Sequence, residues 1–303
     1  MTSTGIAVAS APVSYGAFEV TVGIDPMAPT DLQVLDEVAA AGYAGIDLGP
    51  VGYLGRGRDL RERLASRSLG LAGAYIELPY TDPTALRGAM AALDELLDAL
   101  DEAGRSDGAP PARPTLADAG SDARRARPGQ DNGMDAEAWR RFGAGLGEVV
   151  RRCRDRGHEP TFHPETGTHV AWPSEIERVL EVSDIGLCLD TGHLLLAGGD
   201  PVAAIGAWAA RINHFHLKDA RTSVMAGIVA DDAPATAIWD RAAFAALGDG
   251  DLDAEGVIAE LRRIGYGGWL VVEQDTLPRT KAEFERAAKD QRANREYLAR
   301  RGM

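Results

Sequence analysis

Five of the chain's six histidines fall between residues 161 and 219, where they share the ends of short apolar runs with carboxylates. His163 and Glu165 close the first run, Asp190 and His193 the second, His214 and His216 the third. A fourth run, farther along, closes with Glu273. Imidazole and carboxylate donors without sulfur suit Mn2+, Mg2+, Co2+ or Zn2+. Such an ion polarises a carbonyl beside a hydroxyl while a neighbouring base removes a proton, and Glu165 and Glu273 are the candidate bases. A carboxylate at the end of an apolar strand is costly to bury unless paired or shared with a cation. Several on adjacent strands therefore point to a site rather than a structural network.

Groups this far apart in sequence meet only if the strands carrying them lie side by side. Short β-type runs alternate with longer amphipathic runs, the pattern of repeated βα units around a parallel sheet. The strand candidates are Ile6–Ser10, Gly45–Leu48, Leu71–Glu77, Pro114–Ala117, Pro160–His163, Ile185–Asp190, Ile212–Leu217 and Trp269–Glu273. Helices are expected near 30–42, 56–69, 83–103, 135–157, 173–182, 201–209, 254–265 and 279–300. Eight such units close into a barrel, so the expected architecture is a single-domain α/β (β/α)8 TIM barrel over residues 1–303. Its C-terminal strand ends would then form one mouth. Side chains alternate along a strand, which puts His163 and Glu165 on one side if the strand continues through Pro164. His214, His216 and Lys218 share a face in the same way.

Local punctuation supports these boundaries. Thr30, Asp135, Ser174 and Asp253 are expected helix caps, and Gly42, Gly70, Gly157 and Gly265 are expected terminators. Residues 104–133 are expected to be long loops around strand four, and 220–250 a second insertion on the active-site face. Glu77 and Asp118 divide evenly between cavity lining and other pairing. His214 is expected in the core or behind the ligands, and His158 at the surface or capping a helix. GDGDLD (248–253) lacks the spacing of a calcium loop and is expected to lie near the cavity. No GxGxxG signals a dinucleotide site.

The formal net charge of −14 argues against nucleic acid and anionic membrane surfaces as partners. Arg124, Arg125 and Arg127, like Arg300 and Arg301, are expected on solvated faces. Two cysteines, Cys153 and Cys188, form no CxxC pair and fit a reducing compartment. With no basic N-terminal leader and no run of about 18 apolar residues, a soluble cytoplasmic protein is expected.

In order and spacing, seven segments resemble the sugar isomerase, epimerase and dehydratase group with xylose isomerase-like barrels, and within it the inosose dehydratases. They are APVSYG (11–16), GYAGIDLGPVGYLG (42–55), HPETGTHV (163–170), LCLDTGHLLLAGGDP (187–201), HFHLKD (214–219), GDGDLD and GYGGWLVVEQD (265–275). The resemblance implies a divalent metal, Mn2+ foremost, held by His163, Asp190, His216 and Glu273. Because this chain has HPE where dehydratase-like members show HxH, either His163 or Glu165 can be the fourth ligand, leaving the other for proton transfer. The resemblance also implies that Asp47, Tyr53, His193 and Lys218 lie near the substrate, with Lys218 stabilising developing negative charge. Tyr15 stands where the family has Trp, and Ala171 where Glu is common. The expected activity is a metal-dependent dehydratase acting on a keto-cyclitol or ketosugar such as 2-keto-myo-inositol, through an enediolate. The alternative is an isomerase or epimerase that reprotonates the same enediolate. The expected partner is thus a small sugar or cyclitol, and barrel relatives often form homo-oligomers.

Overall fold

The computed structural model describes residues 5–106, 108–130 and 133–303, so three residues of the 104–133 segment and the first four of the chain lie outside the described residues. The strands are β1 (Ala7–Ser10), β2 (Gly45–Ile46), β3 (Gly70–Leu71), β4 (Gly73–Leu78), β5 (Arg113–Asp118), β6 (Thr161–Phe162), β7 (Gly186–Asp190), β8 (Ile212–Ala220), β9 (Phe244–Ala245) and β10 (Trp269–Glu273). All but β9 run parallel, in the order β3-β2-β1-β10-β8-β7-β6-β5-β4. β3 and β4 form one barrel strand broken at Ala72. The Ala72 N–H donates to the Ile46 carbonyl at 2.9 Å, and its own carbonyl accepts from Arg113 N at 3.2 Å. Nine parallel segments therefore build eight staves, as the (β/α)8 pattern requires.

The helices are α1 (Asp31–Ala41), α2 (Gly57–Ala65), α3 (Pro83–Ala103), α4 (Asp122–Ala126), α5 (Ala136–Asp155), α6 (Pro173–Val182), α7 (Thr191–Leu196), α8 (Pro201–Trp208), α9 (Thr222–Ala230), α10 (Ala237–Asp240), α11 (Ala254–Arg263) and α12 (Lys281–Ala299). Eight correspond to the sequence periodicity. The other four, α4, α7, α9 and α10, are short turns of helix in the connections after β5, β7 and β8. The long helices bury one stripe each: Phe142, Leu146, Val149, Val150 and Cys153 on α5 recur at helical spacing and are sealed against the barrel. Each such side chain contributes about 1.5–3 kcal/mol by leaving water.

Thr30 caps α1 through a reciprocal box with Gln33, and Asp135 and Asp253 cap α5 and α11. Ser174 does not cap. Pro173 takes the first helical position, and the Glu175 carboxylate accepts from Trp172 N at 3.0 Å and Ala171 N at 2.9 Å instead. Gly42, Gly157 and Gly265 take left-handed conformations at helix ends. Gly70 does not: it lies in β3, where a Cβ would meet the Trp269 ring at 2.9 Å. That ring fills the bottom of the barrel, and its Nε1 donates to the Pro110 carbonyl at 2.9 Å.

Residues 220–250 form a roof with its own apolar cluster, including Met225, Ile228, Ile238 and Phe244. GDGDLD is a structural turn at its end. The buried Asp219 carboxylate accepts from Gly248 N, Gly250 N and Leu252 N at 2.8, 3.1 and 3.0 Å.

Candidate metal and active site

Period-two alternation delivers the inward residues of the second half of the barrel to one place. His163 follows β6, Asp190 ends β7, His216 lies on β8 and Glu273 ends β10; all are buried. One ligand atom from each of the four lies within 4.8 Å of all the others. His163 Nε2 is 3.4 Å from Asp190 Oδ2, and His216 Nδ1 is 3.7 Å from the same oxygen and 3.0 Å from Glu273 Oε2. Three of the four histidine ring nitrogens (His163 Nδ1 and both of His216) are buried without a hydrogen-bond partner. Two imidazoles and two carboxylates converging in this way fit a divalent ion with mixed nitrogen and oxygen ligation.

Asp190 has two jobs. Its Oδ1 caps α7 by accepting from His193 N at 2.9 Å, which leaves Oδ2 fixed toward the cluster. Lys218, also buried, places Nζ 3.0 Å from Asp190 Oδ2, 2.9 Å from Glu273 Oε2 and 2.9 Å from Asp275 Oδ1. Its stem passes Gly192, where a Cβ would stand 2.6 Å away. Burial works against the charge on Lys218, but Asp190, Asp275 and Glu273 outweigh it and hold the ammonium protonated. Burial likewise opposes charge on Asp190 and Glu273. Lys218 and His193 outweigh it at Asp190, and His216 and Lys218 at Glu273, so both stay ionised.

Glu165 stands beside the cluster, not within it. Its Oε2 is 4.0 Å from His163 Nδ1 and accepts a hydrogen bond from the Tyr75 hydroxyl on β4. Burial and then the nearby Glu77 push its carboxyl up to about 8. His193 packs edge-on to His163 with ring centroids 5.6 Å apart. Its Nδ1 accepts from Thr166 N at 3.3 Å, and its Nε2 faces Asp275 at 3.7 Å.

The segment after β6 is anchored from three sides. Tyr75 holds Glu165. Asp118 accepts from His169 N at 2.9 Å and pairs with its Nδ1 at 2.8 Å. Arg124, expected at the surface, is instead fully buried; it grips both oxygens of Glu175, donates to the Thr168 carbonyl at 3.0 Å and lies over the Trp172 ring at 4.2 Å. A guanidinium fork matches a carboxylate in two bonds, which is why arginine tolerates this position. Arg125 and Arg127 do remain on partly exposed pairs, with Glu77 and Asp232. His158 pairs with Asp101 on the outside.

Tyr53 and Asp47, implied to lie near the substrate, differ in their distance from the cluster. The Tyr53 hydroxyl donates to the Pro29 carbonyl at 2.9 Å, and no hydrogen bond or ion pair joins it to the cluster among the described residues. Asp47 lies inside the barrel behind His216, its Oδ2 3.8 Å from Nε2. His214 lies beside them, fully buried, with both nitrogens unpartnered.

Sequence reasoning missed Tyr75, Asp275 and Phe244. Asp275 was legible as the polar residue two places beyond Glu273, on the same face by alternation. Burial pushes its carboxyl up to about 6, with Lys218 pulling the other way. Phe244 had no sequence signal. β9 pairs antiparallel with the end of β8, and this sets the ring 5.2 Å from His193 and 4.9 Å from the Lys218 ammonium.

The family pattern of the xylose isomerase-like TIM barrel matches residues 35–300. The chain belongs to that family. An inosose dehydratase of Clostridium beijerinckii is 31% identical over 159 residues, covering 52% of this chain and 53% of the relative. An inosose dehydratase of Lacticaseibacillus casei is 32% identical over 156 residues, covering 50% and 52%. The matches thus span about half the length of these curated relatives. The structure of L-ribulose 3-epimerase superposes with a TM-score of 0.67 over 96% of this chain and 93% of that one, at 16% identity. This likeness concerns the fold. No described helix of this family member is long and apolar enough to cross a membrane.

Proposed function

We propose that the protein is a metal-dependent carbon–oxygen lyase acting on a keto-cyclitol or ketosugar, with 2-keto-myo-inositol as the representative substrate. The observation that carries this reading is the division of labour at the mouth: four convergent donors, with a separate buried carboxylate, Glu165, held beside them by Tyr75. His163, Asp190, His216 and Glu273 would hold the ion. Mn2+ is the proposed metal, and Co2+, Mg2+ and Zn2+ suit the same donors. When bound, it supplies Lewis-acid polarisation of the substrate carbonyl.

The chain's own residues do the rest. Glu165 takes the proton from the carbon beside the carbonyl, since its carboxylate is outside the ligand set and within reach of a molecule seated there. Lys218 presents a fixed positive charge to the oxygen that becomes negative. Asp275 holds Lys218 and faces His193, whose Nε2–H orients the β-hydroxyl. The electron pair left on carbon forms the new double bond as that hydroxyl leaves as water with the proton Glu165 removed, which returns Glu165 to its carboxylate form. Phe244 and the 220–250 roof keep bulk water from the departing group. The half-length match to inosose dehydratases supports this substrate class, and a small-molecule substrate fits the acidic sequence.

Incubation with Mn2+ and 2-keto-myo-inositol, followed by mass spectrometry, tests the reading. A product lighter by one water is expected. An unchanged mass with a shifted carbonyl would instead assign an isomerase or epimerase, and no change in the ketone would reject both.

A further inference from the structure

We infer that Asp47 is a positioning residue of the metal centre, its carboxylate fixing the Nε2 edge of the His216 ring so that Nδ1 faces the ion. The inference rests on the metal site proposed above and deepens it. His216 presents its two nitrogens to different surroundings. Nδ1 faces the ligand cluster, 3.7 Å from Asp190 Oδ2 and 3.0 Å from Glu273 Oε2. Nε2 points the opposite way, into the barrel, where Asp47 Oδ2 lies 3.8 Å off. A neutral imidazole that gives the Nδ1 lone pair to a cation carries its proton on Nε2. That N–H is buried, and leaving it without an acceptor costs on the order of a hydrogen bond. Among the described residues, Asp47 supplies the one carboxylate within 4.0 Å of Nε2. Cys188 also borders the ring, but burial pushes its thiol up to about 11, so it brings no charge.

The surroundings of Asp47 fit this role and no ordinary structural one. It is 5% exposed, its Oδ1 has no hydrogen-bond partner, and among the described residues no lysine or arginine pairs with it. Its backbone is fixed in the sheet by donation from Asp47 N to the Ser10 carbonyl at 2.9 Å. On the neighbouring strand, where the Gly73 carbonyl accepts from Leu48 N at 2.9 Å, Gly73 leaves the space that the carboxylate uses: a Cβ there would stand 3.1 Å from Oδ1. The sequence thus maintains a buried acid whose neighbours are the imidazoles of His216 and His214. A shift of the His216 ring by under an ångström closes the 3.8 Å gap to a hydrogen bond.

The test is direct binding of Mn2+ alone, followed through the electron paramagnetic resonance signal of the free ion, in the full chain and in Asp47→Asn. The expected result is a Kd weakened about 10- to 100-fold, with the metal-free melting temperature unchanged or raised, because a buried carboxylate without a permanent partner has been neutralised. A merely structural role would lower that melting temperature and leave Kd alone. A folded Asp47→Asn with Kd within threefold of the parent overturns this inference and leaves the metal site standing, whereas a parent chain that binds no Mn2+ removes the metal site itself. Should the variant not fold, 15N-histidine spectra of the parent with Zn2+ decide the matter. The His216 resonance, assigned by its loss in His216→Asn, must show a proton on Nε2 and metal on Nδ1; metal on Nε2 would reject the role.

Discussion

The two halves of the barrel carry polar groups at their strand ends in similar positions but use them differently. In the first half two of the groups have settled partners: Glu77 on β4 pairs with Arg125 at 3.0 Å, and Asp118 on β5 takes both the backbone and the ring of His169, while Asp47 after β2 faces His216 of the other half. In the second half, Asp190, Glu273 and Asp275 share the ammonium of Lys218, and the rings of His163 and His216 face one another with their centroids 5.0 Å apart. Three carboxylates around one fixed cation leave excess negative charge in a buried place, which favours a further cation. The barrel repeat makes every strand end equivalent in space, and the partner of each group decides whether it serves structure or chemistry.

Glu273→Gln should break that contrast most severely. The amide keeps the shape but removes a charged ligand, so turnover of 2-keto-myo-inositol should fall by about 10^4-fold, as expected for losing several kcal/mol of transition-state stabilisation. Mn2+ binding should weaken with it. A variant retaining a tenth of parental turnover would mean the second half is not the reacting site. Glu165→Gln should lower kcat by about 10^2- to 10^4-fold, the range for a general base, while Mn2+ affinity holds within a few fold. If affinity collapses as well, Glu165 is a ligand, and the division between donor set and base disappears. Arg124→Met tests the settled side: it leaves Glu175 buried and unpaired, at a cost of about 3–5 kcal/mol in urea unfolding. The segment carrying His163 and Glu165 should loosen with it, so KM should rise more than kcat falls.

The distribution of these roles explains what the sequence made legible. Strand alternation and the terminal His, Asp and Glu residues sufficed to gather such groups at one mouth, because a parallel barrel brings strand ends together whatever the loops do, and the particular set of four donors came from the resemblance. Those donors meet only in space, yet their strand positions are visible in one dimension. Tyr53 and Asp47 were assigned by motif position alone, and position along the chain does not say which face a residue presents. Asp47 points inward beneath His216, while Tyr53 is turned onto Pro29 by its own loop. Arg124 was hidden for a different reason. An arginine run reads as solvated, and only the fold supplies Glu175 and Trp172 from a distant helix start. The break at Ala72 is similarly tertiary in origin, set by the two neighbouring strands between which its backbone groups are divided.

Phe244→Leu should give the smallest effect and probes a third element, the roof that closes the active half. The ring is 3% exposed and packs edge-to-face with His193 while its face receives the Lys218 ammonium at 4.9 Å. Leucine keeps most of the apolar volume in the cluster with Met225, Ile228 and Ile238, so the melting temperature should drop by only a few degrees. What leucine lacks is the electron-rich face. A desolvated cation–π contact is worth about 0.5–2 kcal/mol, so kcat/KM should fall about two- to thirtyfold as Lys218 loses one of its four contacts. Mn2+ affinity should not move, since no ligand atom is touched. A change in stability without a change in kcat/KM would show that the roof only covers the mouth and that the second half positions Lys218 by its carboxylates alone.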